Sequence, residues 1–275
     1  MVLRNLLFIF TVVAGSVFLN HLASAQSASG LISHRAIYNV SMGSGPSTGL
    51  ISNVDGVMAV SMEKTCDGWI YSQDLKTVIT PSEGSPIQQQ ALFTSWESHN
   101  GLEYQFASKS MSNGVYEELR GTASLNQDGS GGWAQYSVPE AVRIDLPQGT
   151  LFPVAHTIWL LEKARSGSRY VSRIVFTGTE EYQPELVNAF IGDITKAGNA
   201  SSGSSSQSIE ALKDIDGWPL SMAFFPISSN SEIPSFEMHV MQLDNGISTD
   251  MTMNFDDFAT DINVRKLEFI DDPEC

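Results

Sequence analysis

Basic residues are scarce in this 275-residue chain: Lys and Arg number 15 against 31 Asp and Glu, leaving a formal charge of −16. Such a chain repels phosphate backbones, and no local run of Lys or Arg offsets that field, which argues against nucleic acid as a partner. Anionic membrane surfaces are disfavoured for the same reason, although a local apolar patch can still meet acyl chains. Catalytic signatures are lacking too. There is no G-x-S-x-G nucleophile elbow, and Gly43-Ser44-Gly45 lacks the following Lys and helix start of a phosphate loop, so it reads as a turn. No repeat of fixed period occurs. Cysteine is limited to Cys66 and Cys275, and no His pair stands at metal-ligand spacing, so neither a metal site nor a cofactor is expected.

Long apolar runs are confined to the N-terminus. Arg4 supplies a positive start, residues 6–19 carry no charge, and Ala23-Ser24-Ala25 places small residues just before Gln26. That order predicts a cleavable signal peptide over residues 1–25. A membrane anchor needs about 20 strongly apolar residues, whereas this stretch holds Thr11, Gly15 and Ser16 and then meets Asn20 and His21. The expected product, residues 26–275, is exported and has no membrane span after cleavage. Losing Arg4 makes it one unit more acidic.

Export gives the two cysteines meaning, because thiols in an oxidising compartment normally pair. A bond between Cys66 and Cys275 would close nearly the whole exported chain and, in the loop-entropy account, contribute roughly 5 kcal/mol as an upper figure. Two free thiols are the alternative.

Most of the chain alternates apolar and polar residues with the period of two that marks half-buried strands. Phe236, Met238 and Val240 alternate with Glu237 and His239; after Asp244-Asn245-Gly246, Ile247, Thr249, Met251, Met253 and Phe255 alternate with polar residues. A two-residue Asn245-Gly246 turn would pair Val240 with Met251, Met238 with Met253 and Phe236 with Phe255. Further strands are expected over 31–42, 51–62, 69–80, 87–98, 102–111, 115–125, 132–138, 142–146, 170–179, 209–214, 218–226 and 263–269, with turn residues between them. One main helix is predicted over 152–165, with Pro153 at its start and Lys163, Arg165 and Gly167 at its end. A second, short helix is expected around 184–191. The Gly/Ser-rich stretch 198–208 reads as a flexible surface loop. If the cysteines bond, late strands must lie against early ones, which favours one barrel-like domain over two.

Candidate site residues are few. His34, His99 and His239 read as solvated or hydrogen-bonded side chains. His156 stands at the start of the helix, where an imidazole can cap backbone or orient a neighbouring strand. Adjacent carboxylates such as Asp256-Asp257 and Asp271-Asp272 point to opposite faces of a strand and make poor acid/base dyads. Asn39-Val40-Ser41 and Asn199-Ala200-Ser201 match the glycosylation sequon, which matters only in a host with an endoplasmic reticulum. Trp, Phe and Met side chains can line a ligand cavity, but the alternation already accounts for them as core.

The segments His34-Arg35-Ala36-Ile37-Tyr38, Cys66-Asp67-Gly68-Trp69, Phe152-Pro153-Val154-Ala155-His156-Thr157, Val175-Phe176-Thr177-Gly178, Trp218-Pro219-Leu220-Ser221 and Asn245-Gly246-Ile247-Ser248-Thr249-Asp250, with the terminal Cys275, occur in an order that resembles the EipB family of cell-envelope integrity proteins. The resemblance spans nearly the whole exported chain. It implies a mainly β fold, an open, spiral-like antiparallel β-barrel of many strands with one main helix, closed by a Cys66–Cys275 disulfide. It implies a periplasmic protein supporting the envelope, with an envelope protein as partner, such as a tetratricopeptide-repeat protein, or a lipid-like ligand. The family offers no catalytic residue to transfer. The competing expectation is a periplasmic or secreted hydrolase with a site dispersed in sequence, whose first suspect is His156 beside an Asp or Ser.

Overall fold

The computed structural model describes residues 30–45, 47–179, 182–197, 210–227 and 232–275. The expected signal peptide, the 198–208 loop and Asn199 lie outside the described residues. In chain order the strands are β1 (His34–Met42), β2 (Ile51–Lys64), β3 (Gly68–Pro81), β4 (Ile87–Ser98), β5 (Glu103–Ser112), β6 (Val115–Leu125), β7 (Gly132–Val138) and β8 (Arg143–Leu146). Helix α1 (Pro153–Arg165) follows, and then β9 (Tyr170–Val175), β10 (Glu185–Ile191), β11 (Gly217–Pro226), β12 (Phe236–Leu243), β13 (Ser248–Asn254) and β14 (Ala259–Phe269).

All fourteen strands form one sheet in the order β8 to β1 and then β14 to β9. Every neighbouring pair is antiparallel, so the chain is a meander whose first and last strands pair in the middle of the sheet. The two edges are therefore β8 and β9, the strands that flank α1. The sheet stays open between them. Leu151, just before the helix, makes a single parallel bridge to Val175 of β9, its N–H donating to Ile174 O at 2.9 Å.

Alternation assigns the faces. In β1, Ala36, Tyr38 and Val40 are buried while Arg35 and Asn39 are exposed, and register carries the buried phase inward through the neighbouring strands. β1 and β14 shift register between Ile37 and Tyr38, which leaves Arg265 unpaired as a bulge. Between the sheet edges an aromatic cluster of Tyr104, Phe106, Tyr136, Phe152 and Phe176 fills the interior. The Phe106 ring occupies space that a Cβ on Gly121 or Gly178 would invade, at 2.5 Å in each case, and Gly178 has a left-handed φ of +74°.

Three sequence expectations change. Residues 184–191 are not helical but form β10. Glu185, Val187, Ala189 and Ile191 are its buried phase, and outward Leu186 and Phe190 blur that period in the sequence. Of the expected strand 209–214, Ile209 lies outside the described residues, and the remainder contains a 3₁₀ turn, Glu210–Leu212, instead of a strand. Leu212 packs there against Leu243 and Ile247.

The β12–β13 hairpin keeps the pairs Met238–Met253 and Val240–Met251 but turns differently. Leu243 N–H donates to Ile247 O at 2.9 Å and Gly246 N–H to Leu243 O at 2.9 Å, so the loop is the three residues 244–246. Gly246 takes the left-handed position at φ +87°. A register shift between Val240 and Gln242 restores the deeper pairs. Phe236 and Phe255 lie beyond the ladder, with ring centroids 6.3 Å apart.

Candidate functional site

Helix α1 occupies one end of the barrel interior. Its inner residues Leu160, Leu161 and Ala164 pack on Ala189, Ile191, Trp218, Leu220 and Val240 of β10 to β12. Its C-terminus closes as its sequence demands: Gly167 at φ +77° lets Ser168 N–H donate to Lys163 O at 3.0 Å. Its N-terminus is unusual. Phe152 stands at the cap position with no side-chain acceptor to offer, so the first N–H groups need a partner from elsewhere.

Glu97 of β4 supplies it. Val154 N–H donates to Glu97 Oε2 and Ala155 N–H to Oε1, each at 2.7 Å. The carboxyl is 1% exposed; burial pushes its pKa up to about 7, while the two N–H donors pull it down. Sequence reasoning missed this residue. The available signal was its phase, since Glu97 shares the inward face of β4 with Phe93 and Ser95, where a carboxylate is out of place unless it has partners.

His156 is one turn into the helix and buried. It caps no backbone. Its ring lies near-parallel to Trp159 at 5.9 Å between centroids, and its Nε2 has no hydrogen-bond partner. Burial first, and then the charge of Arg173, lower its pKa to about 4. Among the described residues no Ser, Asp or Glu hydrogen-bonds it, so the first suspect of the hydrolase reading has no acid/base companion. His34 Nδ1–H donates to Ile32 O at 2.8 Å, and His99 Nε2–H donates to Thr65 O at 2.9 Å.

His239 sits on the outer face, with Nδ1 2.9 Å from Ser221 Oγ. The surrounding backbone N–H groups belong to the β11–β12 ladder, which leaves no oxyanion donors beside that pair. Asp272 is a structural anchor: it accepts from Ser33 Oγ at 2.8 Å and Lys64 Nζ at 3.1 Å. Among the described residues, no three His, Cys, Asp or Glu side chains form a metal cluster, and no helix is long and apolar enough to cross a membrane.

Cys66 and Cys275 are bonded. The bond ties the C-terminal tail to the turn between β2 and β3, beside the β1–β14 junction.

A small cavity lies beside the first turn of α1, lined by residues that include Trp69, Glu97, His99 and Glu162, and two larger surfaces lie elsewhere. On the inner faces of β11 to β13, Met222 and Met238 pack against the α1 cluster, and beyond them, toward the other end of the strands, Phe224 and Phe236 are half-buried. Phe224 and Phe236 stack at 4.2 Å, and Phe255 and Phe258 continue the series at 5.1 Å from each other. Inner residues at the helix end, such as Leu220 and Val240, are buried. The second surface is a groove of about 510 Å³ on the outer face, bordered by Arg35, Ile37, Leu92 and Lys266 over a floor that includes Ala59 and Ser72. Both surfaces suit binding.

Residues 25–271 match the EipB-like family. The chain is 26% identical over 252 residues to the cell envelope integrity protein EipB of Brucella abortus (strain 2308), covering 90% of this chain and 88% of that one. It also resembles the crystal structure of a β-barrel-like protein of a domain of unknown function from Brucella abortus. There the TM-score is 0.78 at 23% identity, covering 88% of this chain and 99% of the other. The match to the family along nearly the full length leads to one assignment: this chain belongs to the EipB-like family.

Proposed function

We propose that this protein is a non-catalytic periplasmic factor for envelope integrity whose barrel holds a lipid-like molecule at its open end. The observation that carries the reading is the series of half-buried Phe224, Phe236, Phe255 and Phe258 at the end of the strands away from α1. Apolar side chains left partly in water on a concave surface favour an apolar occupant, at about 25 cal/mol for each Å² removed from solvent. Support for the address comes from the N-terminal export pattern, from the disulfide, which needs an oxidising compartment, and from the name of the Brucella abortus relative.

Native mass spectrometry of protein released from the periplasm without detergent tests the reading; a retained lipid mass is expected. A bare chain mass, together with unchanged sensitivity of a deletion strain to detergents and cell-wall antibiotics, would overturn it.

The outer groove favours a second reading, an envelope protein partner such as a tetratricopeptide-repeat protein. A photocrosslinker at Leu92, which is exposed on the groove border, should then capture such a protein, and capture at an equal rate from the opposite face would remove the groove from consideration.

A further inference from the structure

We propose that Arg173 and His156 form a subsite inside the barrel for an anionic group, the phosphate or carboxylate head of an amphiphile whose chain runs toward the open end. The proposal rests on the reading of the barrel as a lipid holder and adds a charge requirement to it.

Arg173 lies on the inner phase of β9, paired with the buried Val187 of β10. A guanidinium in such a place is costly unless a carboxylate faces it. Among the described residues none lies within ion-pair distance of it, and no hydrogen bond from it is present; its Nε is sealed from water without a partner. The guanidinium instead lies over the Trp159 indole, 4.6 Å from the ring centroid. Cation–π attraction uses the ring face and leaves the in-plane N–H donors unspent.

On the same indole stacks His156, more than nine-tenths buried, with its own Nε2 unspent. Lys163 approaches that ring as well, at 5.8 Å. Three nitrogen-bearing side chains thus surround one indole. The nearby carboxylates are otherwise placed. Glu97 is held by the helix N-terminus, Glu185 stands on the next inward position, paired with Val175 of β9 and outside ion-pair distance of the guanidinium, and Glu162 borders a small cavity with Trp69 and His99. If packing were the only demand, apolar side chains of similar volume would be as stable or better.

The register supplies the direction of the chain. Arg173 pairs with Val187, Val187 with Phe224 and Phe224 with Phe236. The unspent cation and the half-buried aromatic pair therefore stand on one row across the inner face, about 14 Å long from three inter-strand steps. A headgroup at the Arg173 end and an acyl tail over the half-buried Phe224 and Phe236 match that pattern of charge and apolar surface, with the sealed Val187 between them.

The test uses calorimetric titration of the full exported chain with dodecyl phosphate below its micelle concentration, with dodecyl maltoside as the uncharged comparison and inorganic phosphate as the headless one. Dodecyl phosphate should bind at least about tenfold tighter than either, and Arg173→Met should abolish the preference over the maltoside while keeping maltoside affinity and thermal stability. His156→Gln should weaken dodecyl phosphate selectively, and the His156 imidazole resonance should move when it binds to the parent protein. Should Arg173→Met fail to fold, Arg173→Gln is read against the same three probes. Equal binding of both amphiphiles, unaffected by either substitution, would overturn the subsite and leave the lipid reading intact; phosphate binding as tightly as dodecyl phosphate would overturn the amphiphile. If neither amphiphile binds, both the subsite and the lipid reading fall.

Discussion

Cys275, the last residue, is bonded to Cys66 in the turn between β2 and β3, with the two Cα atoms 5.6 Å apart. The tail between β14 and that bond is pinned a second time, where Ile270 N–H donates to Ser33 O at 2.9 Å and Asp272 meets Ser33 and Lys64. The edges β8 and β9 lie elsewhere, so the bond secures the junction of the first and last strands and leaves the gap in the sheet open.

Because the closed loop spans 209 positions, reduction or Cys275→Ser should cost about 2–5 kcal/mol. Guanidinium unfolding with and without reductant measures it. Non-reducing peptide mapping should recover a linked Cys66–Cys275 pair, and two free thiols in protein purified without reductant would contradict the bond.

Glu97→Ala removes the only side-chain acceptor that the first turn of α1 has among the described residues and leaves the buried Val154 N–H and the part-buried Ala155 N–H unpaired. The expected loss is about 2–3 kcal/mol at pH 5, read by thermal melts. Folding raises the Glu97 pKa from its ordinary 4.5 to about 7, so the folded state holds the proton more tightly and this group's contribution falls as pH rises through that interval. The stability gap between parent and variant should narrow from pH 4.5 to 7; a gap that widens would show that the N–H donors outweigh burial.

His156 shifts the other way, from an ordinary 6.5 to about 4. The unfolded chain takes up a proton in that window and the folded one does not, so stability is lost as pH falls from 6.5 toward 4. His156→Gln should flatten part of that acid slope in denaturant titrations, with His34, also lowered by burial, accounting for a further share. An unchanged slope would mean that His156 protonates freely in the fold.

Phe236→Ser, at the half-buried open end, should cost less stability than Phe176→Ala in the sealed aromatic cluster, for which about 3–5 kcal/mol is expected. The same Phe236→Ser change should lower retention of an apolar probe dye, measured by fluorescence. Equal retention would detach the aromatic row from binding.

Much of the sheet was legible because inward and outward residues alternate cleanly: β4, β6 and β7 run over the expected residues 87–98, 115–125 and 132–138. Legibility failed where both phases are apolar, as in β10 with Leu186 and Phe190 facing out, and where one glycine decides a loop, as Gly246 does by taking a left-handed φ. The hairpin register survived that change because the bulge between Val240 and Gln242 absorbs the extra loop residue.

By itself, then, the sequence determined the strand-rich character, the single main helix and the chemistry available to the two cysteines, all of which depend on local pattern and residue type. The tertiary structure alone decided that β1 pairs with β14, that Glu97 caps a helix 57 positions away, and that Arg173 of β9 lies over the same indole that His156 stacks on. Those relationships join residues distant in the chain, and no local period encodes which strand a given edge will meet; only the closure of the whole sheet around its helix brings them together.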